Sequence, residues 1–294
     1  MKKMLLLVAF SICSCFAYAG LVDVKLSTLW TQEGFSKPES VVYDAKRNLL
    51  YVSNIHGSPS EKDGIGSISK VSFSMKGSKI SDKPLVEGLD SPKGMAIYKD
   101  KLYVADITVL VVIDLESGEI EKKYPGEKAV FLNDISVDDS GRIFVSDTFG
   151  NAIYVLEKGI FTRWLTSEDL DSPNGLYAES DRLVVATWGS DGLGSMKTVS
   201  YAHKSISDLG KSKSVGNLDG LDLDGFGNYF VTDYSTGKLL LISPAGDTKM
   251  LTQQNIGAAD LTYIPGKKMI LIPLMNDDAL IAFSVEFPST EKKK

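Results

Sequence analysis

The chain has 294 residues, 43% of them hydrophobic and 24% charged, with 26 Gly, 10 Pro, two Cys, two His and a formal net charge of −6. That composition is ordinary for a globular protein and excludes a disordered chain, a collagen-like repeat or a coiled coil. Its acidity also makes it a poor nucleic-acid binder, because a phosphate backbone demands clustered Lys and Arg.

The N-terminus reads as a targeting segment. Lys2 and Lys3 precede the apolar run Met4–Phe10, and Ala17-Tyr18-Ala19 ahead of Gly20 makes a small-x-small cleavage site. This is the pattern of a secretory signal peptide. The run is far shorter than the roughly 20 apolar residues of a membrane span, and no other stretch qualifies. Residues 1–19 are therefore expected to be a signal peptide, with the mature protein exported to the periplasm or the cell exterior. Cys13 and Cys15 both fall inside this segment, so the mature chain is expected to lack disulfides, a thiolate nucleophile and Cys–metal sites. Ile12-Cys13-Ser14-Cys15 loosely resembles a lipoprotein processing site, which leaves a lipid anchor on Cys15 as the lesser alternative. At the other end, residues 288–294 read as a solvated polar tail.

Between these ends, apolar residues alternate in short runs bounded by Gly, Pro, Asn and Asp, which is strand patterning. One run recurs six times, around Val52, Val104, Val145, Val185, Val231 and Ile272, at steps of 52, 41, 40, 46 and 41 residues. A period near 40 with strand-only content is the signature of propeller blades, each a four-stranded antiparallel sheet. The expectation is an all-β, six-bladed β-propeller over residues 20–287, with no second domain. The longer steps place insertions at 56–66 in the first blade and 188–197 in the fourth. The last repeat has only three strands, and Val24–Trp30 alternates as a strand should. This N-terminal stretch is expected to supply the missing strand and close the ring, removing an exposed edge.

About ten residues before each recurring run, an earlier strand opens with a polar residue. One register aligns Glu39, Lys93, Asn133, Asn174, Asp219 and Asp260. The innermost strand of each blade lines the propeller axis, so this register delivers six polar side chains to one ring. Three carboxylates against one lysine are costly to bury unpaired, and a divalent cation would offset them. The plainer alternative is a water-filled channel in which Lys93 pairs with Glu39 or Asp260 and replaces the metal. With only carboxylate and amide oxygens on offer, Ca²⁺ or Mg²⁺ suits the ring better than softer metals.

At these residues the sequence resembles the SMP-30/gluconolactonase group of six-bladed propellers, with the related diisopropylfluorophosphatase and paraoxonase enzymes. Glu39 reaching Asp44 five residues later, Asn133-Asp134, Pro173-Asn174-Gly175 and Asp219-Gly220-Leu221-Asp222 carry the likeness. The resemblance implies an axial divalent cation held by Glu39, Asn174 and Asp219, joined by Asn133 as in the phosphotriesterase-like relatives. Ca²⁺ is the first expectation, with Mg²⁺, Mn²⁺ and Zn²⁺ open. It further implies metal-assisted hydrolysis of a lactone or other ester by a monomer acting on a small molecule. Asp219 or Asp260 would accept the proton and Lys93 would stabilise developing charge. Phe131 and Asn133 would face the substrate, but Phe131 stands where sugar-lactone hydrolases usually carry Arg. No His aligns with the histidines of paraoxonase-like enzymes. The alternative from a different class is a binding or scaffold propeller whose cation only stiffens the ring.

Other conspicuous residues have plainer readings. Asp106, Asp147 and Asp233 share one place in their blades and read as turn caps. Asp222 is at most a support behind the ring, and Asp224 a turn residue. His56 and His203 read as surface residues. Tyr51, Tyr103, Phe144 and Phe230 read as core.

Overall fold

Short runs rich in Val, Ile, Leu, Tyr and Phe, punctuated by Gly, Asn and Asp, form only strands and single 3-10 turns. The computed structural model describes residues 21–288; the segment read as a signal peptide, with Cys13 and Cys15, and most of the polar tail lie outside the described residues. The strands make six antiparallel sheets arranged as the blades of a β-propeller. The innermost strands are Pro38–Asp44, Pro92–Tyr98, Leu132–Val137, Pro173–Ala178, Leu218–Leu223 and Thr262–Ile264 for blades 1 to 6. Each pairs with the recurring run of its blade: Leu49–Asn54, Lys101–Asp106, Ile143–Asp147, Arg182–Thr187, Tyr229–Asp233 and Met269–Leu274. Blade 1 adds one detail to the four-stranded expectation, because Val86–Leu89 pairs with Gly66–Ser74 beside Gly77–Ile80.

The ring closes as the sequence predicts. Lys25–Glu33 pairs antiparallel with Ala279–Glu286, from Lys25 opposite Glu286 to Glu33 opposite Ala279, and completes blade 6. Lys37 N–H then donates to Asp278 Oδ1 at 2.7 Å, fastening blade 1 to blade 6. The last blade thereby satisfies backbone groups that an open edge would leave unpaired.

The core follows from the same period. Six apolar layers each lie between adjacent blades: Tyr51 and Ile68 meet Val104 and Val111, and Phe144 and Ile153 meet Leu183 and Val185. Tyr51, Phe144 and Phe230 are buried in such layers, whereas Tyr103 is half-buried. The aspartates also cap as expected. Asp106 accepts Asp90 and Ser91 N–H, Asp147 accepts Val130 and Phe131 N–H, and Asp233 accepts Ser235 N–H and the Thr236 hydroxyl. For Asp106 and Asp147 the bend so fixed is the one entering the inner strand of their own blade. Asp224 holds a turn through Phe226 and Asn228 N–H. His56 and His203 are both exposed.

One irregularity recurs and positions everything on the axis. In every blade the inner side carries an extra residue: Pro38 faces Asn54 but Val41 faces Val52, likewise from Pro92, Leu132, Pro173 and Leu218, and in blade 6 Ala258 faces Leu274 but Thr262 faces Leu271. Such a bulge re-aims side chains and leaves a backbone N–H off the ladder. In three blades a hydroxyl on the neighbouring strand accepts that N–H: Ser53 from Ser40, Ser146 from Asp134 and Thr232 from Gly220, at 2.8–2.9 Å.

The inner strands also approach closely at the residue after each polar one. A Cβ on Gly175 would meet the carbonyl oxygen of Asp219, and one on Gly220 would meet the backbone of Asp260 and Leu261. Gly175→Ala must push two blades apart at the axis. It is expected to lower stability by about 1–3 kcal/mol, the usual cost of overpacking, measurable by denaturant unfolding beside Gly266→Ala, whose Cβ would meet nothing and whose backbone is not left-handed. Equal losses in the two variants would contradict the close-approach argument.

Candidate functional site

The bulges turn the second residue of five inner strands into one cavity of about 300 Å³. Glu39, Lys93, Asn133, Asn174 and Asp219 all line it. Asp260, aligned with them in the sequence, does not. Blade 6 carries the same extra residue, since Ala258 faces Leu274 but Thr262 faces Leu271; Ala259 therefore holds the second place, and Asp260 the place that Ser40 takes in blade 1. Asp260 N–H instead donates to Glu39 O at 3.0 Å, and its carboxylate accepts the Ser40 hydroxyl at 2.6 Å. It joins blade 6 to blade 1 behind the cavity surface.

The floor groups hold one another. Asn133 Nδ2 donates to Asn174 Oδ1 at 2.6 Å and to Thr148 Oγ1 at 3.1 Å, and the Thr148 hydroxyl donates to Pro173 O at 2.8 Å. Asn174 Nδ2 donates to Leu218 O at 3.3 Å, which leaves its oxygen toward Asn133. Glu39 Oε2 is buried with no hydrogen-bond partner.

Lys93 pairs with neither Glu39 nor Asp260. Its ammonium donates to Pro59 O at 2.8 Å, Ser91 O at 2.9 Å and Ser91 Oγ at 3.0 Å, and lies 4.4 Å from the centre of the Phe131 ring. Its three protons are thus engaged and its remaining face is covered by an aromatic surface. It ties the blade 1 insertion, through Pro59, to blade 2.

The electrostatics follow from burial. Desolvation, then Asp219 and Asp260, push the Glu39 carboxyl well above its ordinary value. Desolvation and Asp260 push Asp219 up to about 8, while the Asn174 amide opposes the shift. Asp260 rises to about 7, chiefly by burial, although the Ser40 hydroxyl favours its charged form. Asp134, the residue after Asn133, is raised well above its ordinary value by burial and by Asp260, although Leu176 and Ile135 N–H bond its oxygens. Burial outweighs the pull of Glu39 and lowers Lys93 to about 8. Asp222 accepts Leu223 and Tyr263 N–H yet rises to about 6, so it braces blade 5 against blade 6.

These residues fit a hard divalent cation. Among the described residues no three His, Cys, Asp or Glu side chains gather into a metal site by themselves, so amide oxygens must complete any donor set. Glu39, Asp219, Asn133 and Asn174 supply two carboxylates and two amides, all oxygen donors of the kind Ca²⁺ takes. The unpartnered Glu39 oxygen and the surplus of buried carboxyls are the features a cation would offset.

Sequence reasoning missed most of the cavity wall. Ile55, Thr148, Trp188, Tyr234 and Met275 line it, and each is the residue immediately after the recurring run of its blade. Their chemistry differs, so no residue type repeats; the signal lay in the register alone. Pro59 and Ser60 from the blade 1 insertion and Phe149 complete the wall beside Phe131.

The shifts make stability depend on pH. Each raised carboxyl keeps its proton in the folded state where the unfolded chain has released it. Its stabilising contribution is full below the ordinary carboxyl value and is lost as pH rises through about 6 for Asp222, 7 for Asp260 and 8 for Asp219. Lys93, lowered to about 8, adds stability only at more alkaline pH. Cation-free protein is therefore expected to lose stability from pH 5 to pH 8, by up to about 1.4 kcal/mol per pH unit for each such carboxyl. Urea unfolding in a chelator checks this, and equal stability at the two pH values would contradict it.

Residues 37–262 match the SMP-30/Gluconolactonase/LRE-like region. No curated protein matches the chain in sequence. Among solved structures, a gluconolactonase from Xanthomonas campestris superposes with a TM-score of 0.69 at 16% identity, covering 90% of each chain. A candidate gluconolactonase gives 0.69 at 16% identity, covering 92% of this chain and 95% of its own. A streptogramin B lyase gives 0.63 at 11% identity, covering 90% and 98%. Identities this low bear on the fold alone. The family match spans most of the chain and includes Glu39, Lys93, Asn133, Asn174 and Asp219 of the cavity: this protein belongs to the SMP-30/gluconolactonase/LRE-like family.

Proposed function

We propose that this protein is an exported, divalent-cation-dependent hydrolase of a lactone or related ester. The observation that carries the reading is the cavity floor, where carboxylate and amide oxygens from four blades converge beside a buried carboxylate oxygen with no partner. Glu39, Asn133, Asn174 and Asp219 would hold the cation, with Ca²⁺ favoured by an all-oxygen donor set. When bound, it would supply a Lewis acid that polarises a carbonyl.

The chain's own groups divide the remaining work. Asp219 is the carboxylate on the floor assigned to take a proton from the attacking water. Asp260, held by Ser40 away from the cavity, is a structural tie in this reading. Lys93 adds positive potential from the wall, since its protons are already engaged, and favours charge developing on the substrate oxygen. Asn133 and Phe131 flank the substrate, and the surrounding apolar wall limits competing water.

Calorimetric titration of metal-stripped protein with Ca²⁺ is expected to show one site, lost in Asn174→Ala/Asp219→Ala. Lactone hydrolysis followed by pH-stat should vanish in the same variant and in chelator. Absence of Ca²⁺ binding in the wild type would overturn the reading; binding without turnover of any lactone or ester would leave a binding or scaffold propeller. Export rests on the N-terminal pattern, and Gly20 is the residue expected first on N-terminal sequencing of the mature protein.

A further inference from the structure

The floor of the cavity is polar, but its walls are not. Phe131 and Phe149 pack with ring centres 4.7 Å apart on one side, and Trp188 and Tyr234 lie 5.4 Å apart on the other. Ile55 and Met275 form, with Ala259, a small buried apolar cluster against Tyr234 that belongs to none of the six layers between blades. The apolar surface continues outward. Phe149 is 61% exposed and Val130, beside Phe131 in the chain, is 51% exposed. Ile65 and Leu193, at 54% and 52%, lie in the two insertions, which open from the same end of their blades.

The polar groups of the wall are largely engaged. The Thr148 hydroxyl donates to Pro173 O, the Tyr234 hydroxyl faces Met275 Sδ at 3.5 Å, and the Lys93 ammonium has its three oxygen acceptors. A polyhydroxylated ring would exchange water for aromatic faces and leave hydroxyls unpaired, which is unfavourable. An alkyl or aryl substituent would lose nothing of that kind and would remove apolar surface from water on both sides.

From this we infer that the substrate is a lactone or ester carrying an apolar alkyl or aryl substituent, which leaves the polar floor along Phe131 and Phe149 toward Val130. The inference deepens the hydrolase reading and rests on it for the reacting group. Phe131 and Phe149 are then residues that determine specificity, while the floor is common to any ester.

Two measurements on the Ca²⁺-loaded protein test it. In the first, kcat/KM is compared for γ-butyrolactone, a series of γ-alkyl lactones up to γ-nonalactone, and glucono-δ-lactone. The expected increase is about three- to fourfold per methylene until the wall is covered, with γ-nonalactone exceeding glucono-δ-lactone by at least a hundredfold. Phe149→Asn should reduce kcat/KM for γ-nonalactone at least tenfold more than for γ-butyrolactone. Independence of chain length, or equal turnover of the sugar lactone, would overturn the inference while leaving the hydrolase intact.

The second measurement reads binding without turnover, through the fluorescence of Trp188 with Trp188→Phe as the control. If no lactone is hydrolysed, the hydrolase reading fails and this titration alone decides the apolar-ligand inference. A saturable change with γ-nonalactone, absent with glucono-δ-lactone and weakened in Phe149→Asn, would support it. Absence of saturation with γ-nonalactone would overturn it.

Discussion

A single extra residue on the inner side of every blade is the constraint on which the rest of the structure depends. Without it, successive side chains would alternate regularly between the faces of each blade, and the polar register would enter the apolar layers. With it, Glu39, Lys93, Asn133, Asn174 and Asp219 turn into the channel while the following residues resume their places in the core. The displaced N–H needs an acceptor in a dry interior. Ser53, Ser146 and Thr232 provide one from the adjacent strand, so hydroxyls inside otherwise apolar runs belong to the device that aims the site.

The same device concentrates charge. Close approach of the inner strands, permitted at Gly94, Gly175 and Gly220, brings Asp219, Asp260 and Asp134 near enough to raise the proton affinity of Glu39, and Asp260 near enough to raise that of Asp134 and Asp219. Burial dominates each shift, and mutual repulsion adds to it. The axis is thus a place where stability and function pull in opposite directions. Apolar side chains there would pack without electrostatic cost, but they would offer nothing to a cation or a reacting carbonyl.

Much of this was legible in the sequence because a propeller repeats one hydrogen-bonding scheme six times. The period showed the blades, the orphan strand near Trp30 showed the closure, and alignment by register found Glu39, Lys93, Asn133, Asn174 and Asp219. Asp260 falls outside that set because the second place in blade 6 belongs to Ala259, and the polar residue beside it was aligned one position out. Where blades 1, 3 and 5 have a hydroxyl to receive the bulged N–H, blade 6 has Pro273, and the Asp260 N–H goes to Glu39 O instead. The wall was hidden for the opposite reason. Ile55, Thr148, Trp188, Tyr234 and Met275 occupy equivalent positions but share no chemistry, so only the register, followed one residue beyond each recurring run, would have assembled them.

Lys93 brings these strands together. Read from sequence it could be a built-in counter-ion that makes a metal unnecessary. Its surroundings argue against that role. Its own burial lowers it to about 8 despite the attraction of Glu39 and Asp106. Its protons go to two carbonyl oxygens and a hydroxyl, and its remaining face to Phe131, so it reaches no carboxylate. What it does hold is the wall: Pro59 from the insertion on one side and the Phe131 ring on the other. A residue recruited to the axis by the bulge register has therefore been turned toward shaping the apolar side of the cavity. The floor carboxyls therefore find no cation in the protein and are held protonated by burial, and the charge they would carry with a cation beside them is the physical ground on which the proposed cation rests.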